Sequence, residues 1–185
     1  HWLSIGPTWN LLLSLLLLDF LIYWQHRFFH WSAFFWRFHR MHHSDQDFDA
    51  TTALRFHPFE MITSMLMKII AVLLLGVPPA AVILFEIILN FLALFNHSNW
   101  NLGHWDQRLQ KALVTPDMHR VHHSVLAEET HSNYGFCLSL WDRLFKSYRP
   151  WAQNAQTSMS LGLPERRNRS LETLGSLLKE PFRAN

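Results

Sequence analysis

The chain has 185 residues, of which 49% are hydrophobic, 15% aromatic and only 16% charged, with a formal charge of +2. A soluble domain carries about 25% charged residues, so neither an ordinary water-soluble enzyme nor a disordered chain fits, and so small a positive charge gives no argument for nucleic acid. The single cysteine, Cys137, excludes an internal disulfide and any cysteine-ligated zinc or iron–sulfur site.

The chain starts at His1 rather than Met, which reads as a truncated or processed chain. No basic segment precedes the first apolar run, so no cleavable signal is recognised. That run, residues 9–24 (WNLLLSLLLLDFLIYW), is broken only by Asp19. Asp19, Tyr23, His26 and His30 follow at spacings of 4, 3 and 4, one face of a continuous helix. Ser32 is placed to cap a second helix that leads to His39, His42 and His43 in HRMHH. His57, in RFHPFE, stands where the second apolar run begins and suits either an interfacial structural role or ligation.

Residues 61–75 (MITSMLMKIIAVLLL) hold Lys68, Gly76-Val77-Pro78-Pro79 signals a turn, and residues 80–95 (AAVILFEIILNFLALF) hold Glu86 and Asn90. Glu86, Asn90 and His97 share a helix face. Each run falls a little short of the ~20 residues of a straight span, and flanking aromatics extend it. Beyond them, HWDQRLQKAL reads as an amphipathic surface stretch with His104 exposed. Thr115-Pro116-Asp117 supplies an N-cap, a first-turn proline and an early acid just before His119, His122 and His123 in HRVHH. His131 precedes Asn133-Tyr134-Gly135, and a loop role suits it best. The tail from about 150 is polar, with Arg166, Arg167 and Arg169 clustered, and reads as solvated or touching headgroups.

Residues 25–60 and 96–185 hold 15 of the 16 Lys and Arg, all but Lys68. Lys and Arg gather on the cytoplasmic side. The expected fold is therefore all-α: a multi-pass membrane bundle with spans at about 9–24, 61–75 and 80–95 and a cytosolic helical cap. Residues 1–150 form its catalytic domain and 151–185 a polar tail.

Positions i, i+3 and i+4 share a helix face, so each histidine group presents its imidazoles together. Neutral imidazole suits Fe, Zn, Cu and Ni. His26, His30, His39, His42, His43, His97, His119, His122 and His123 offer nine nitrogens. That is too many for one ion and suits two, each with an open position. Asp19 and Glu86 suit either orienting a histidine or a helix-packing hydrogen bond. A solvated or pH-sensing histidine face is the bland alternative. A membrane metal-binding or transport protein is the functional one, although ligands beyond the span ends suit it poorly. Tight H-x2-HH groups also disfavour a bis-histidine haem.

At this point the chain resembles the fatty acid hydroxylase/sterol desaturase superfamily of membrane histidine-box di-iron enzymes, in its small prokaryotic form. The resemblance runs from about Asp19 to Pro150 through HRFFH, WRFHRMHHSD, TALRFHP, FNHSN, TPDMHRVHHS, SNYG and LWDRLFKSYR. It implies two iron ions held by the nine histidines on the cytosolic face, and O2-dependent hydroxylation or desaturation of a membrane lipid such as a sterol, fatty acyl or ether lipid. It also implies an external electron-transfer protein or reductase, since no flavin, haem or nucleotide motif is present. Asp19, His57, Asn99, His131 and Asn133 are the residues expected to support the ligands. Family members often carry a further N-terminal hydrophobic segment, which fits the truncated start.

Overall fold

The computed structural model describes residues 6–168 and 173–183, so His1 and Arg169 lie outside the described residues. Helix α1, Pro7–Trp31, starts with Pro7 in its first turn, where the missing N–H costs nothing. At 25 residues it is longer than its apolar run. Its last two turns carry Gln25, His26, Arg27 and His30, three of them buried against the rest of the chain, which is why hydropathy alone ends it early. The chain folds back at Ser32, and α2, Ala33–His43, packs on α1. Ser32 stands at the N-cap as its spacing suggests, but its side chain makes no cap bond.

A short 3-10 turn, Ala50–Leu54, is fixed by a capping box between Asp49 and Thr52. Then α3, Pro58–Leu75, ends on Gly76 at φ 62, the left-handed conformation that glycine adopts freely. After Val77-Pro78, α4, Pro79–Asn96, begins with another first-turn proline. The predicted runs 61–75 and 80–95 lie inside these two helices. Among the described residues, α1, α3 and α4 are the three helices long and apolar enough to cross a membrane. Ile62, Leu66, Ile69 and Leu73 on α3, and Ile83, Ile87, Phe91 and Leu94 on α4, are exposed. An apolar surface of that extent belongs against lipid. Leu18 and Ile22 of α1 bury against Val77, Ala81 and Phe85, the core of the bundle at its turn end.

The rest is short. A 3-10 turn, Gly103–Trp105, leads to α5, Asp106–Leu109. The helices α6, Pro116–His122, α7, Ala127–Thr130, α8, Leu140–Leu144, and α9, Leu174–Leu178, follow. Among the described residues there is no strand, only two isolated bridges, so the fold is all-α.

The C-terminal segment differs from its solvated reading. Glu180 is buried and its carboxylate meets Arg40 Nε at 3.2 Å, Arg166 Nε at 2.8 Å and Arg183 Nη1 at 3.6 Å. Gly162 N–H donates to the His123 carbonyl. A polar stretch can be a strap when its charges find buried partners, and composition does not reveal the partners.

Candidate metal centre

Four elements deliver nine buried histidines to one place. α1 supplies His26 and His30 one turn apart, and α2 supplies His39, His42 and His43. His97 caps the C-terminus of α4. α6 supplies His119 and His122, with His123 at its C-cap. The Thr115 side chain accepts from Met118 N–H, the N-cap expected from Thr115-Pro116-Asp117.

The histidines separate into two groups whose ligand nitrogens lie within 4.8 Å of one another: His26, His30, His39, His43 and His122, and His42, His97, His119 and His123. The groups do not follow the sequence motifs. In each H-x2-HH motif the i, i+4 pair serves one group and the i+3 histidine crosses to the other. His39 and His43 join the first group while His42 joins the second; His119 and His123 join the second while His122 joins the first. The two motifs are thus exchanged across the centre.

The hydrogen bonds fix the tautomers. His26 Nδ1 donates to the Tyr134 carbonyl (2.9 Å), His122 Nδ1 to Ser132 (2.7 Å), His42 Nδ1 to Thr52 (3.1 Å) and His97 Nδ1 to Ala93 (2.7 Å). A carbonyl only accepts, so the proton sits on Nδ1 and a neutral ring leaves Nε2 bare. Burial first holds His42, His43, His119 and His123 well below the ordinary imidazole value, with repulsion from neighbouring rings adding to it. Burial likewise brings His97 to about 4 and His122 to about 3. Yet His26 and His122 Nε2 stand 3.0 Å apart, and His42 and His97 Nε2 3.2 Å apart.

Two lone pairs facing each other in a buried site repel unless a cation lies between them and the other nitrogens. Nitrogens about 2.1 Å from one ion and at right angles about it are about 3.0 Å apart. Both nitrogens of His30 and of His123, and Nε2 of His39 and His43, have no hydrogen-bond partner among the described residues. Buried polar atoms are rarely left so. The donor set therefore fits two nitrogen-ligated transition-metal ions, of five and four imidazoles, each short of a full octahedron.

Glu60 is the ligand-supporting residue that sequence reading misses. Its Oε1 accepts from His39 Nδ1 at 2.6 Å, turning His39 Nε2 toward its group. The signal was an acid in the first turn after His57-Pro58. Among the described residues, none of the residues singled out as supports hydrogen-bonds a site histidine directly. Asp19 accepts from Cys137 and Leu138 N–H and from Trp141 Nε1, pinning the start of α8 to α1. Glu86 pairs with Lys68. His57 caps α3 by accepting from Phe59 N–H. Asn99 accepts from Arg120. His131 is exposed, its ring 5.9 Å from that of His30. Asn133 adopts φ 53 and donates to the carbonyls of Met118 and Arg149, holding α6 one residue before His119.

A cavity of about 310 Å³ reaches His26, His39, His42 and His119, members of both groups, and runs between α1, α3 and α4 as far as Lys68 and Glu86. Ile22, Phe29, Leu89 and Phe136 give it apolar walls.

The sequence profile of the fatty acid hydroxylase family matches residues 11–147. The chain is 28% identical over 154 residues to the ornithine lipid hydroxylase OlsE of Rhizobium tropici, covering 83% of this chain and 46% of that protein. It is 32% identical over 161 residues to the alkylglycerol monooxygenase of Homo sapiens, covering 84% and 34%. With the Xenopus tropicalis alkylglycerol monooxygenase it shares 34% over 147 residues, covering 77% and 31%. The chain thus spans about a third to a half of the length of these curated relatives. No solved structure matches it.

Proposed function

The chain belongs to the fatty acid hydroxylase family, and from that premise we propose that it is an O2-dependent di-iron oxidase that hydroxylates or desaturates a membrane lipid. The observation that carries this reading is the pair of histidine groups opening on a cavity with apolar walls between helices apolar enough to span a membrane. His26, His30, His39, His43 and His122 would hold one iron, and His42, His97, His119 and His123 the other. Bound there with O2 and two electrons, the pair of irons would supply the oxidising power that unactivated C–H bonds require and side chains lack.

The chain's own residues do the rest. The carbonyls of Thr52, Ala93, Ser132 and Tyr134, with the Glu60 carboxylate, hold five rings with Nε2 directed inward. Ile22, Phe29, Leu89 and Phe136 exclude water and give a hydrocarbon chain an apolar bed beside the histidines. Holding one carbon there turns a random encounter into a positioned one. The relatives act, by name, on ornithine lipids and alkylglycerols, which supports a lipid with a polar head. The segregation of Lys and Arg supports a cytosolic site, served by an external electron-transfer protein or reductase.

The test is purification with iron, followed by O2 uptake with reductant and extracted lipid. O2 consumption coupled to an oxidised lipid is the expected result. His122→Ala should remove activity by at least about a hundredfold while the chain still inserts in the membrane. A fully active His122→Ala variant, or wild-type protein that holds iron yet takes up no O2, contradicts the reading.

A further inference from the structure

The segment 136–148 lies outside the three apolar runs of the sequence, yet it packs on one of them. Asp19, in the first run, accepts from Cys137 N–H, Leu138 N–H and Trp141 Nε1. The Trp141 ring lies 4.9 Å from that of Phe20, and the Phe145 ring lies 5.6 Å and 5.0 Å from those of Tyr23 and Trp24. Arg27 Nη1 donates to the Phe145 carbonyl at 3.4 Å. So α8 lies along α1 between Asp19 and Trp24. Its start stands five residues inside the end of the apolar run, about 7.5 Å along α1. An amphipathic helix at a membrane surface sits about 5–10 Å into the boundary between headgroups and acyl chains.

The faces of α8 divide accordingly. Trp141 and Phe145, one turn apart, pack on α1, while Leu140 and Leu144, also one turn apart, are exposed. Ser139 N–H donates to the Ala112 carbonyl, and Ser139 Oγ and Arg143 Nη2 donate to that of Gln110. These bonds tie the segment after exposed Trp105 to the start of α8. Arg108, Lys111, Arg143 and Lys146 are exposed, and none of them forms an ion pair among the described residues. The two acids of residues 98–113 and 136–148, Asp106 and Asp142, are buried and hydrogen-bonded. The outer face therefore shows two leucines, a tryptophan and four cations, with no exposed carboxylate. The cations alone would suit an acidic protein as well. The depth of α8 beside the apolar run, next to exposed Trp24, favours the bilayer.

We propose that this face docks on the headgroups of anionic phospholipids, with Leu140, Leu144 and Trp105 in the boundary layer and Arg108, Lys111, Arg143 and Lys146 on the phosphates. Long basic side chains reach from an apolar level to the headgroups in this way. Docking of this kind does not depend on the oxidase reading. Asp142 of α8 accepts from Tyr134 and Gly135 N–H, and the Tyr134 carbonyl orients His26. Headgroups that hold α8 thus also set the depth of the first histidine group in the leaflet.

The experiment places a bimane fluorophore on Leu144→Cys, in a chain whose other cysteine, Cys137, is buried. The purified, labelled chain is reconstituted in vesicles of equal parts phosphatidylcholine and phosphatidylglycerol. Quenching is compared between trace phosphatidylglycerol and trace phosphatidylcholine, each with a doxyl group near the head of one acyl chain. The phosphatidylglycerol quencher is expected to be about fivefold or more effective. Arg108→Gln, Lys111→Gln and Lys146→Gln together are expected to bring that ratio to about twofold or below; Arg143 is kept because it also bonds Gln110. Equal quenching by the two lipids overturns the proposal, as does an undiminished preference in the triple variant. Quenching by aqueous iodide and by neither lipid also overturns it, and assigns the face to a soluble acidic partner. If the triple variant does not fold, the comparison of the two lipids on the labelled chain decides alone.

Discussion

Burial sets the charge of the site histidines before any ion is considered. A charged imidazole loses its hydration there, so the folded chain holds His97 to about 4 and His122 to about 3, against an ordinary 6.5. The unfolded chain takes up these protons near 6.5, and the folded chain resists until far lower pH. Stability of the metal-free protein is thus full above 6.5 and falls as pH drops from there toward 4. Thermal unfolding of chelator-treated protein should show a level Tm from about pH 8 to about pH 6.5 and a falling Tm from there to about pH 5; a Tm that stays level or rises below about pH 6.5 contradicts this. Six of the nine histidines are legible in the sequence because imidazole at i, i+3 and i+4 is rare and chemically specific; His26 and His30 show only an i, i+4 pair, and His97 stands alone. Glu60 is not, since an acid in a first helical turn ordinarily complements the helix dipole. The carbonyls that orient four of the rings carry no side-chain signature at all.

The elements were legible where one physical pattern governs them. Gly76 closes α3, Pro79 opens α4 and Pro116 opens α6, as the turn and N-cap signals indicate, while Pro7 and Pro58 open α1 and α3 a little before the apolar runs begin. The exchange of the two H-x2-HH motifs was not legible, because it depends on how α2 and the end of α6 meet, with the His43 and His123 rings stacked at 4.3 Å. The loop after α7 is the other hidden element. It presents the Ser132 and Tyr134 carbonyls to His122 and His26, while the Asp142 carboxylate accepts from Tyr134 and Gly135 N–H. A Cβ on Gly135 would lie 2.6 Å from Asp142 Oδ2 and 2.9 Å from the Leu138 carbonyl. Gly135→Ala is therefore expected to cost about 1–3 kcal/mol and to loosen iron through His26 and His122. Denaturation and iron content of the variant check this, and wild-type values for both would show that the loop is not a support.

Over the whole molecule, composition located the three long apolar helices, because a bilayer sorts residues by polarity over long stretches. It did not locate the C-terminal strap, whose binding depends on one acid meeting three arginines. Arg40 stands between His39 and His42, so the strap braces α2 from behind. Glu180→Ala removes the buried carboxylate that Arg40, Arg166 and Arg183 meet and is expected to destabilise the fold by about 3–5 kcal/mol. A change in unfolding free energy below about 1 kcal/mol would mean that the strap is solvated after all. The proposed di-iron site needs one iron in each histidine group of a single chain. Its most direct test is the iron content of the purified protein by mass spectrometry, per chain by amino-acid analysis. Two irons per chain is the expected result; one iron or none after anaerobic reconstitution with ferrous iron would contradict it.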